Sequence, residues 1–174
     1  MASIITHPAV AFGLAPHFNK LGPRVWLLGA FCTVIPDIDA IGFWCGIPYG
    51  HPLGHRGLTH SFSFALAVAG LICQFTRRSF GSFPWLLFAY LSLCGVSHGL
   101  ADALTNGGLG VAFFAPFSNE RFFFPWRPIV VSPISITRFF SWRSLQVLAS
   151  EFKWLVLPSA VVGLLGFLRQ RARA

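Results

Sequence analysis

Charged side chains are scarce in this sequence. Only 10% of its 174 residues are Asp, Glu, Lys or Arg, whereas 55% are hydrophobic and the mean hydropathy is +0.66. A soluble globular domain usually carries about 25% charged residues. So few charges do not cover a surface that faces water, and the composition therefore predicts an integral membrane protein rather than an unusually apolar soluble domain.

Acidic residues are the rarest charged type, with five Asp and Glu against 13 Lys and Arg and a formal net charge of +8. In a nucleic-acid-binding domain, basic residues usually form a stripe on a polar fold. Here they lie mostly between apolar segments or after them, which is typical of the flanks of membrane helices. We therefore expect membrane lipids as partners and no nucleic acid.

Several motifs are also missing. The four cysteines form no CxxC pair and three of them lie within apolar runs, so the sequence predicts neither a disulfide framework nor a cysteine-ligated zinc site. A glycine-rich phosphate loop, a nucleophile elbow and a Ser/His/Asp order are absent. The first residues lack the positive stretch that opens a secretory signal, and we interpret them as mature sequence.

Apolar segments recur along the chain and predict membrane-embedded helices. Two of them, Gly57–Thr76 and Phe83–Leu104, have the ~20 residues that a bilayer core requires. Val25–Ile35 ends at Pro36, which cannot donate a helical hydrogen bond, and the glycines and proline of Ile38–Pro48 predict irregular structure. We expect an all-α, polytopic membrane protein with four to five embedded helices. The remaining apolar segments are Ser3–Phe18 and Trp154–Leu168.

The predicted single domain spans residues 1–174 and divides into three parts. Residues 1–116 form the helices that carry the candidate metal site, residues 117–152 form a long loop, and residues 153–174 form a C-terminal helix with a basic tail. The loop is rich in aromatic residues, proline and arginine. Aromatic and basic residues together favour a segment that lies at the level of the lipid headgroups.

The basic residues also predict how the segments are oriented. If the five apolar segments alternate across the membrane, the ends that carry Lys20, Arg77 and Arg169 lie on one side, and the positive-inside rule makes that side cytoplasmic. The candidate ligands described below then fall near the opposite, non-cytoplasmic boundary. The long loop falls on that side too despite its arginines, because long loops count less in the rule.

His98 and Asp102 are the clearest pair of candidate metal ligands. They are at positions i and i+4 of an apolar segment and therefore share one helix face. Imidazole and carboxylate together suit Zn²⁺ first, and also Mn²⁺ or Fe²⁺. The alternative is a polar contact between helix neighbours, but ionisable residues inside an apolar span are costly and usually functional.

Two further polar clusters border apolar segments. Asp37 and Asp39 follow the proline that ends the second segment, so their carboxylates can point into one site; the alternative is a solvated turn or a helix cap. His55 and His60 flank the start of the third segment and can face the same cavity. In a hydrolysis the base would be a metal-bound hydroxide, with Asp37 or Asp39 taking its proton, because a metal lowers the pKa of bound water toward about 7.

Arg56 and His7 complete the candidate site. Arg56 is the only cation within the clusters, and its guanidinium suits a phosphate or carboxylate of a substrate. His7 lies at the same predicted membrane boundary and is a further candidate ligand. We interpret His17 and His51 as hydrogen-bonded residues at the membrane interface.

The polar clusters resemble those of a bacterial family, the YdjM-like inner-membrane proteins, which are described as membrane-bound metal-dependent hydrolases. The resemblance runs from the start of the chain to about Pro116, and its most specific part is the His-Arg-Gly-Leu-Thr-His-Ser segment. It implies a helical protein of the bacterial inner membrane with a metal site and hydrolase activity. The matching elements are Thr6-His7, Pro36–Asp39, His55–Ser61, His98–Asp102, Thr105 and Asn106-Gly107.

A more distant similarity is to zinc phospholipase C and the single-strand nucleases of its fold. The later His and Glu ligands of that fold have no counterpart after Asp102 here, so the similarity implies one or two metal ions rather than three. The ligand order implied for this chain is His7, then Asp37 or Asp39, then His55 or His60, and finally His98 and Asp102.

Three functional hypotheses follow. The first is a membrane-bound, metal-dependent hydrolase of a phosphoester such as a phospholipid headgroup, with Asp37, Asp39 and Arg56 in catalytic roles. The second is a non-enzymatic membrane protein with a structural metal site or a polar His/Asp network. The third is a haem protein with paired axial histidines, which the accompanying carboxylates disfavour.

Overall fold

The computed structural model describes residues 2–80, 84–133 and 142–173, and within these ranges the chain is helical without a β-strand. The predicted all-α fold is confirmed. Shorter 3-10 helices follow α1, follow α2 and precede α3; they are Ala15–Leu21, Ile35–Phe43 and Leu58–His60. The α-helices are α1 (Pro8–Leu14), α2 (Pro23–Cys32), α3 (Phe62–Phe80), α4 (Trp85–Ala103), α5 (Trp142–Glu151) and α6 (Leu157–Arg171).

Three helical stretches of the described chain are long and apolar enough to cross a membrane: Pro23–Phe43, Trp85–Ala103 and Trp142–Arg171. The first joins α2 to its 3-10 helix, so residues 38–43, which we predicted to be irregular, are helical. The predicted span Gly57–Thr76 forms an α-helix only from Phe62 onward. Its helix α3 carries Arg77 and Arg78 in the last turn and is not among the three stretches that are long and apolar enough to cross a membrane.

The last helix begins earlier than predicted, at Trp142 instead of Trp154, so the predicted loop is shorter than residues 117–152. The polar residues in the first turns of this helix form no apolar run, so hydropathy did not predict them as helical. Ser144, Val147 and Glu151 nevertheless share one buried face at helical spacing. A π-helical turn joins α5 to α6 just before a proline, where the missing N–H disrupts the regular α-helical ladder. Residues 134–141 of the predicted loop, including Arg138, lie outside the described residues.

Helices α1 and α6 run parallel. The carboxylate of Glu151, which precedes α6, accepts hydrogen bonds from Ser3 at one end of the pair. The side chain of Gln170 donates to the carbonyl of Pro16 at the other end. Between them, a Cβ atom on Gly13 would collide with the backbone of Ser159, so the glycine allows the two helices to approach closely.

Helix α4 runs antiparallel to α1 and parallel to α2. The Tyr90 hydroxyl donates to the carbonyl of Ala11 at 3.0 Å, while eight residues later His98 stacks on His7. Nδ1 of His98 also donates to the carbonyl of Thr33, just after the end of α2. Helix α3 in turn packs antiparallel to α4. Successive helices of the bundle therefore run in alternating directions.

Alternation creates two different ends of the helical bundle. We call one the ligand end; it carries the histidines and aspartates of the candidate site. We call the other the basic end; it carries Lys20, Arg77, Arg78, Arg169 and Arg173. Between the two ends, small buried residues allow the helices to pack closely around Tyr90, as is common among membrane helices. They include Ala11, Ala15, Ala69, Cys32, Cys73 and Cys94.

The segment after α4 folds back over the ligand end. Phe113 stacks on Phe62, and its carbonyl accepts a hydrogen bond from the Phe62 N–H. The Arg121 guanidinium donates to backbone carbonyls of Tyr49, His51, His55 and Gly110. One side chain of the long loop thus fixes the backbone of the histidine-rich segment that precedes α3.

Candidate metal centre

Four buried side chains converge at the ligand end: Asp37, His60, His98 and Asp102. Each offers one ligand atom, and the four atoms lie within 4.8 Å of one another. Asp37 lies on the 3-10 helix that continues α2, and His60 lies on the short 3-10 helix that precedes α3. His98 and Asp102 lie one turn apart on α4, as their spacing predicts.

The two imidazoles meet through their Nε2 atoms, which are 3.0 Å apart. Nδ1 of His98 donates at 2.7 Å to the carbonyl of Thr33, and Nδ1 of His60 lies 3.1 Å from a carboxylate oxygen of Asp39. The Thr33 carbonyl is an acceptor, so Nδ1 of His98 carries a proton, and the two Nε2 atoms face each other at the centre of the group. A divalent cation beside these nitrogens would accept a lone pair from each ring in place of the contact between them.

Carboxylates complete this group. Oδ1 of Asp37 lies 3.5 Å from Nε2 of His98 and 3.6 Å from Nε2 of His60, and Oδ2 of Asp102 lies 3.6 Å from Nε2 of His60. Among the described residues, neither oxygen of Asp37 has a hydrogen-bond partner. A buried, unpaired carboxylate is costly, and a divalent cation would remove the cost. Two imidazole nitrogens and two carboxylate oxygens form a donor set that suits zinc, manganese or iron.

Asp39 is placed differently from Asp37 and is surrounded by donors. Its Oδ1 accepts from Nδ1 of His55 at 2.7 Å, and its Oδ2 accepts from the Thr59 hydroxyl at 2.6 Å and from the Arg56 N–H at 3.3 Å. Together with its contact to His60, these bonds fix the orientation of two imidazoles. Carboxylates that hold histidine ligands in this way are common around metal sites.

His55 forms a second group of candidate ligands with Asp39 and His60. Burial lowers the pKa of His55, although its hydrogen bond to Asp39 acts in the opposite direction. Its Nε2 is buried and has no hydrogen-bond partner in the described part of the chain. The neutral ring therefore presents a free lone pair next to, but not within, the four-residue group.

Arg56 is fully buried and its guanidinium is already engaged. Nε donates to Oδ2 of Asp102 at 3.0 Å, and the other nitrogens donate to the Gly107 and Leu109 carbonyls and to the Thr105 hydroxyl. The backbone reaches this position with a φ of 62°, which is unfavourable for a residue with a side chain. These contacts make Arg56 a positioning residue for Asp102; gripping a substrate phosphate would require some of them to break.

The sequence matches a known protein family. A family model described as "YdjM inner membrane protein" matches residues 1–173. The chain belongs to this family. The inner membrane protein YbcI of Escherichia coli (strain K12) is 39% identical over 176 residues, which cover 99% of this chain and 100% of the relative. No solved structure matches the chain.

Family membership confirms the predicted location in the inner membrane, and the apolar helices agree with it. It also confirms the resemblance that the sequence motifs indicated, now over the whole chain rather than its first two thirds. The structure adds that this member of the YdjM family has a buried His/Asp cluster able to hold a metal ion. The non-cytoplasmic position of the cluster stays a prediction.

His7 lies beside the four-residue group. Its ring stacks on His98 with centroids 4.0 Å apart, and its Nε2 lies 3.9 Å from Oδ1 of Asp102. Neither ring nitrogen has a hydrogen-bond partner among the described residues. The backbone N–H of Ala2 donates to the same oxygen of Asp102 at 2.6 Å, so the first residues of the chain form one wall of the site.

Sequence patterns did not reveal the role of Glu151. Its buried carboxylate accepts from the backbone and hydroxyl of Ser3 and, at 3.0 Å, from the hydroxyl of Thr6. It thereby attaches the segment that carries His7 to the last helix. An acidic residue next to an apolar helix was the available signal. His17 and His51 belong to neither group of candidate ligands, and each has a hydrogen bond elsewhere.

Proposed function

We propose that this chain is a membrane-bound, metal-dependent hydrolase of a phosphoester, such as a phospholipid headgroup, with Asp37, His60, His98 and Asp102 as the ligands of a divalent ion. Zinc suits the donor set first, and manganese or iron also fit. The observation that carries the proposal is the pair of Nε2 atoms 3.0 Å apart beside the carboxylate of Asp37, whose oxygens have no hydrogen-bond partner among the described residues.

A divalent ion at this position would supply a Lewis acid and activate a water molecule near neutral pH. Residues of the chain would accept the proton and orient the metal ligands. Asp37 has two oxygens without a hydrogen-bond donor among the described residues, so one can accept a proton while the other serves as a ligand. Asp39 is occupied by donors and orients His55 and His60. Arg56 holds Asp102 in place.

Exposed aromatic residues at the ligand end support a lipid substrate. Trp44 is 85% exposed and follows the 3-10 helix of Asp37 and Asp39, and Phe117 is 90% exposed on the segment that folds over the site. Aromatic side chains are enriched where membrane proteins meet the headgroup region. A phosphoester in a lipid headgroup would lie at the same depth as these residues.

Metal content and turnover test the proposal together. Detergent-purified wild type should contain about one or two zinc-like ions per chain by mass spectrometry, as expected for a catalytic His/carboxylate site. It should also hydrolyse a chromogenic phosphodiester or a phospholipid. The double variant His98→Ala/Asp102→Ala should lose both, whereas His51→Ala, which removes a histidine outside the cluster, should keep both. Unchanged metal content and hydrolysis in the double variant would refute the proposal.

Burial of the site favours a second candidate, a structural metal or a polar interhelical network without turnover. All four proposed ligands are buried, with Asp37 the most exposed at 6%. Such a site would stabilise the bundle and give no reaction. Metal-dependent stability without hydrolysis of any phosphoester or lipid tested would support this candidate. No metal in either protein, after purification without chelators, would support the network.

A further inference from the structure

A second polar feature lies at the basic end, away from the candidate metal centre. A cavity of about 430 Å³ opens between the 3-10 helix that follows α1 and the last turns of α6. Three cationic side chains line it: Lys20, Arg169 and Arg173. The amide of Asn19 lies in the same wall.

No acidic side chain lines this cavity, although all five acidic residues of the chain belong to the described part. Asp37, Asp39 and Asp102 are engaged at the ligand end, and Glu151 is bonded to Ser3 and Thr6. Three cations around one cavity repel one another. Among the described residues that line the cavity, no acidic side chain balances these charges, so the cavity favours an anionic ligand.

The walls of the cavity are held in place by contacts between the two helical segments. A ring nitrogen of His17 bonds to the carbonyl of Val162 at 2.9 Å, and Gln170 donates to the carbonyl of Pro16. A Cβ atom on Gly166 would lie 2.8 Å from that ring nitrogen, so the glycine permits this close approach. The cavity is thus a formed feature of the α1–α6 pair rather than a gap between independent side chains.

Its position matches that of a lipid headgroup. The cavity lies at the same end of the bundle as Arg77 and Arg78, which lie in the last turn of α3. Basic pockets between membrane helices bind the headgroups of anionic lipids, and nearby Lys and Arg side chains strengthen this attraction. Guanidinium groups bind phosphate oxygens in bidentate fashion.

We propose that this cavity binds the phosphate of an anionic phospholipid headgroup, with Lys20, Arg169 and Arg173 supplying the charge and Asn19 a neutral donor. The occupant is a bound lipid rather than a substrate, because the cavity is at the opposite end of the bundle from the candidate metal centre. The proposal does not depend on hydrolase activity.

Lipid titration followed by native mass spectrometry tests it on the full chain in neutral detergent. Phosphatidylglycerol should bind in preference to phosphatidylcholine, which carries the same phosphate without net charge. The triple variant Lys20→Gln/Arg169→Gln/Arg173→Gln should weaken phosphatidylglycerol binding by about tenfold or more. The control Arg24→Gln/Arg77→Gln/Arg78→Gln removes three positive charges outside the cavity and should change binding less than about threefold.

Three results would overturn the proposal. Equal loss of binding in both triple variants would indicate general attraction to a basic surface. Equal binding of the two lipids by the wild type would show that the net charge of the headgroup does not determine binding. Displacement of the lipid by millimolar inorganic phosphate would make free phosphate the ligand. If the triple variant does not fold, Lys20→Glu alone, at an exposed side chain, should still weaken binding of phosphatidylglycerol, and unchanged binding would refute the proposal.

Discussion

The two ends of the helical bundle differ in whether their charged side chains have partners within the chain. At the ligand end, Arg56 and Asp102 are buried and bonded to each other, and Asp39 is surrounded by donors from its own chain. At the basic end, Lys20 and Arg169 are exposed around a cavity that no acidic side chain lines. The ligand end is organised by contacts within the protein, whereas the basic end is organised for contact with its surroundings.

This difference predicts where substitutions will be costly. Removing one partner of a buried charge pair leaves the other charge without compensation in a low dielectric. Removing an exposed cation changes only interactions that water and salt already weaken. The four predictions below test this contrast, beginning with the largest effect.

Arg56→Ala should give the largest loss of stability. It leaves Asp102 without its guanidinium partner and removes the donors to the Gly107 and Leu109 carbonyls. Breaking a buried pair in this way costs about 3–5 kcal/mol. Unfolding in mixed detergent micelles would measure the loss. The matched control is Arg169→Ala at the basic end, which should change the free energy of unfolding by no more than about 0.5 kcal/mol; equal losses would contradict the contrast between the ends.

Glu151→Ala should have the next largest effect. Its carboxylate accepts hydrogen bonds from the hydroxyls of Ser3 and Thr6. Both residues are buried, so without the carboxylate these hydroxyls would lose this acceptor. An unsatisfied buried polar group costs about 1–3 kcal/mol. Unfolding in micelles and hydrogen exchange at the amides of residues 2–7 would detect the loosened segment. Glu120→Ala changes an exposed carboxylate and should leave both measurements unchanged; normal exchange protection in the Glu151 variant would argue against this attachment.

Asp39→Asn should weaken metal binding without abolishing it. Asp39 orients His55 and His60, and loss of such an outer partner typically costs about 10–100-fold in metal affinity. Competition with a chelator would measure the affinity, and Thr59→Val, which removes one donor to Asp39, should give a smaller change in the same direction. Loss of one whole ion from a protein that binds two would instead make Asp39 a direct ligand.

The candidate site could be predicted in large part because ionisable residues stand out in apolar segments. His98 and Asp102 were predicted as a pair from their spacing, and the structure brings them together with Asp37 and His60. The separate positions of Asp37 and Asp39 could not be predicted. The 3-10 helix that carries both residues determines which carboxylate faces the metal ligands and which faces the hydrogen-bond donors of the chain. The sequence signals of such helices are weak.

Backbone partners were the least predictable part of the site. The Thr33 carbonyl fixes the tautomer of His98, and Arg121 binds carbonyls of the histidine-rich segment, but a carbonyl belongs to every residue type. The same limit applies to the last helix. Its first turns have only one apolar face, so hydropathy placed its start at Trp154 instead of Trp142.

The smallest predicted effect is the response of the basic end to salt. Lys20, Arg169 and Arg173 surround one cavity without an acidic neighbour, so in neutral detergent free of anionic lipid their mutual repulsion slightly destabilises the bundle. Salt shortens the screening length from about 10 Å at 0.1 M to about 3 Å at 1 M, which should raise the free energy of unfolding by less than about 1 kcal/mol. The variant Lys20→Gln/Arg169→Gln should lose most of this response, whereas Glu120→Gln should retain it. The buried pair of Arg56 and Asp102 is shielded from ions and should contribute little, so a salt response that persists in the double variant would contradict its assignment to the cavity at the basic end.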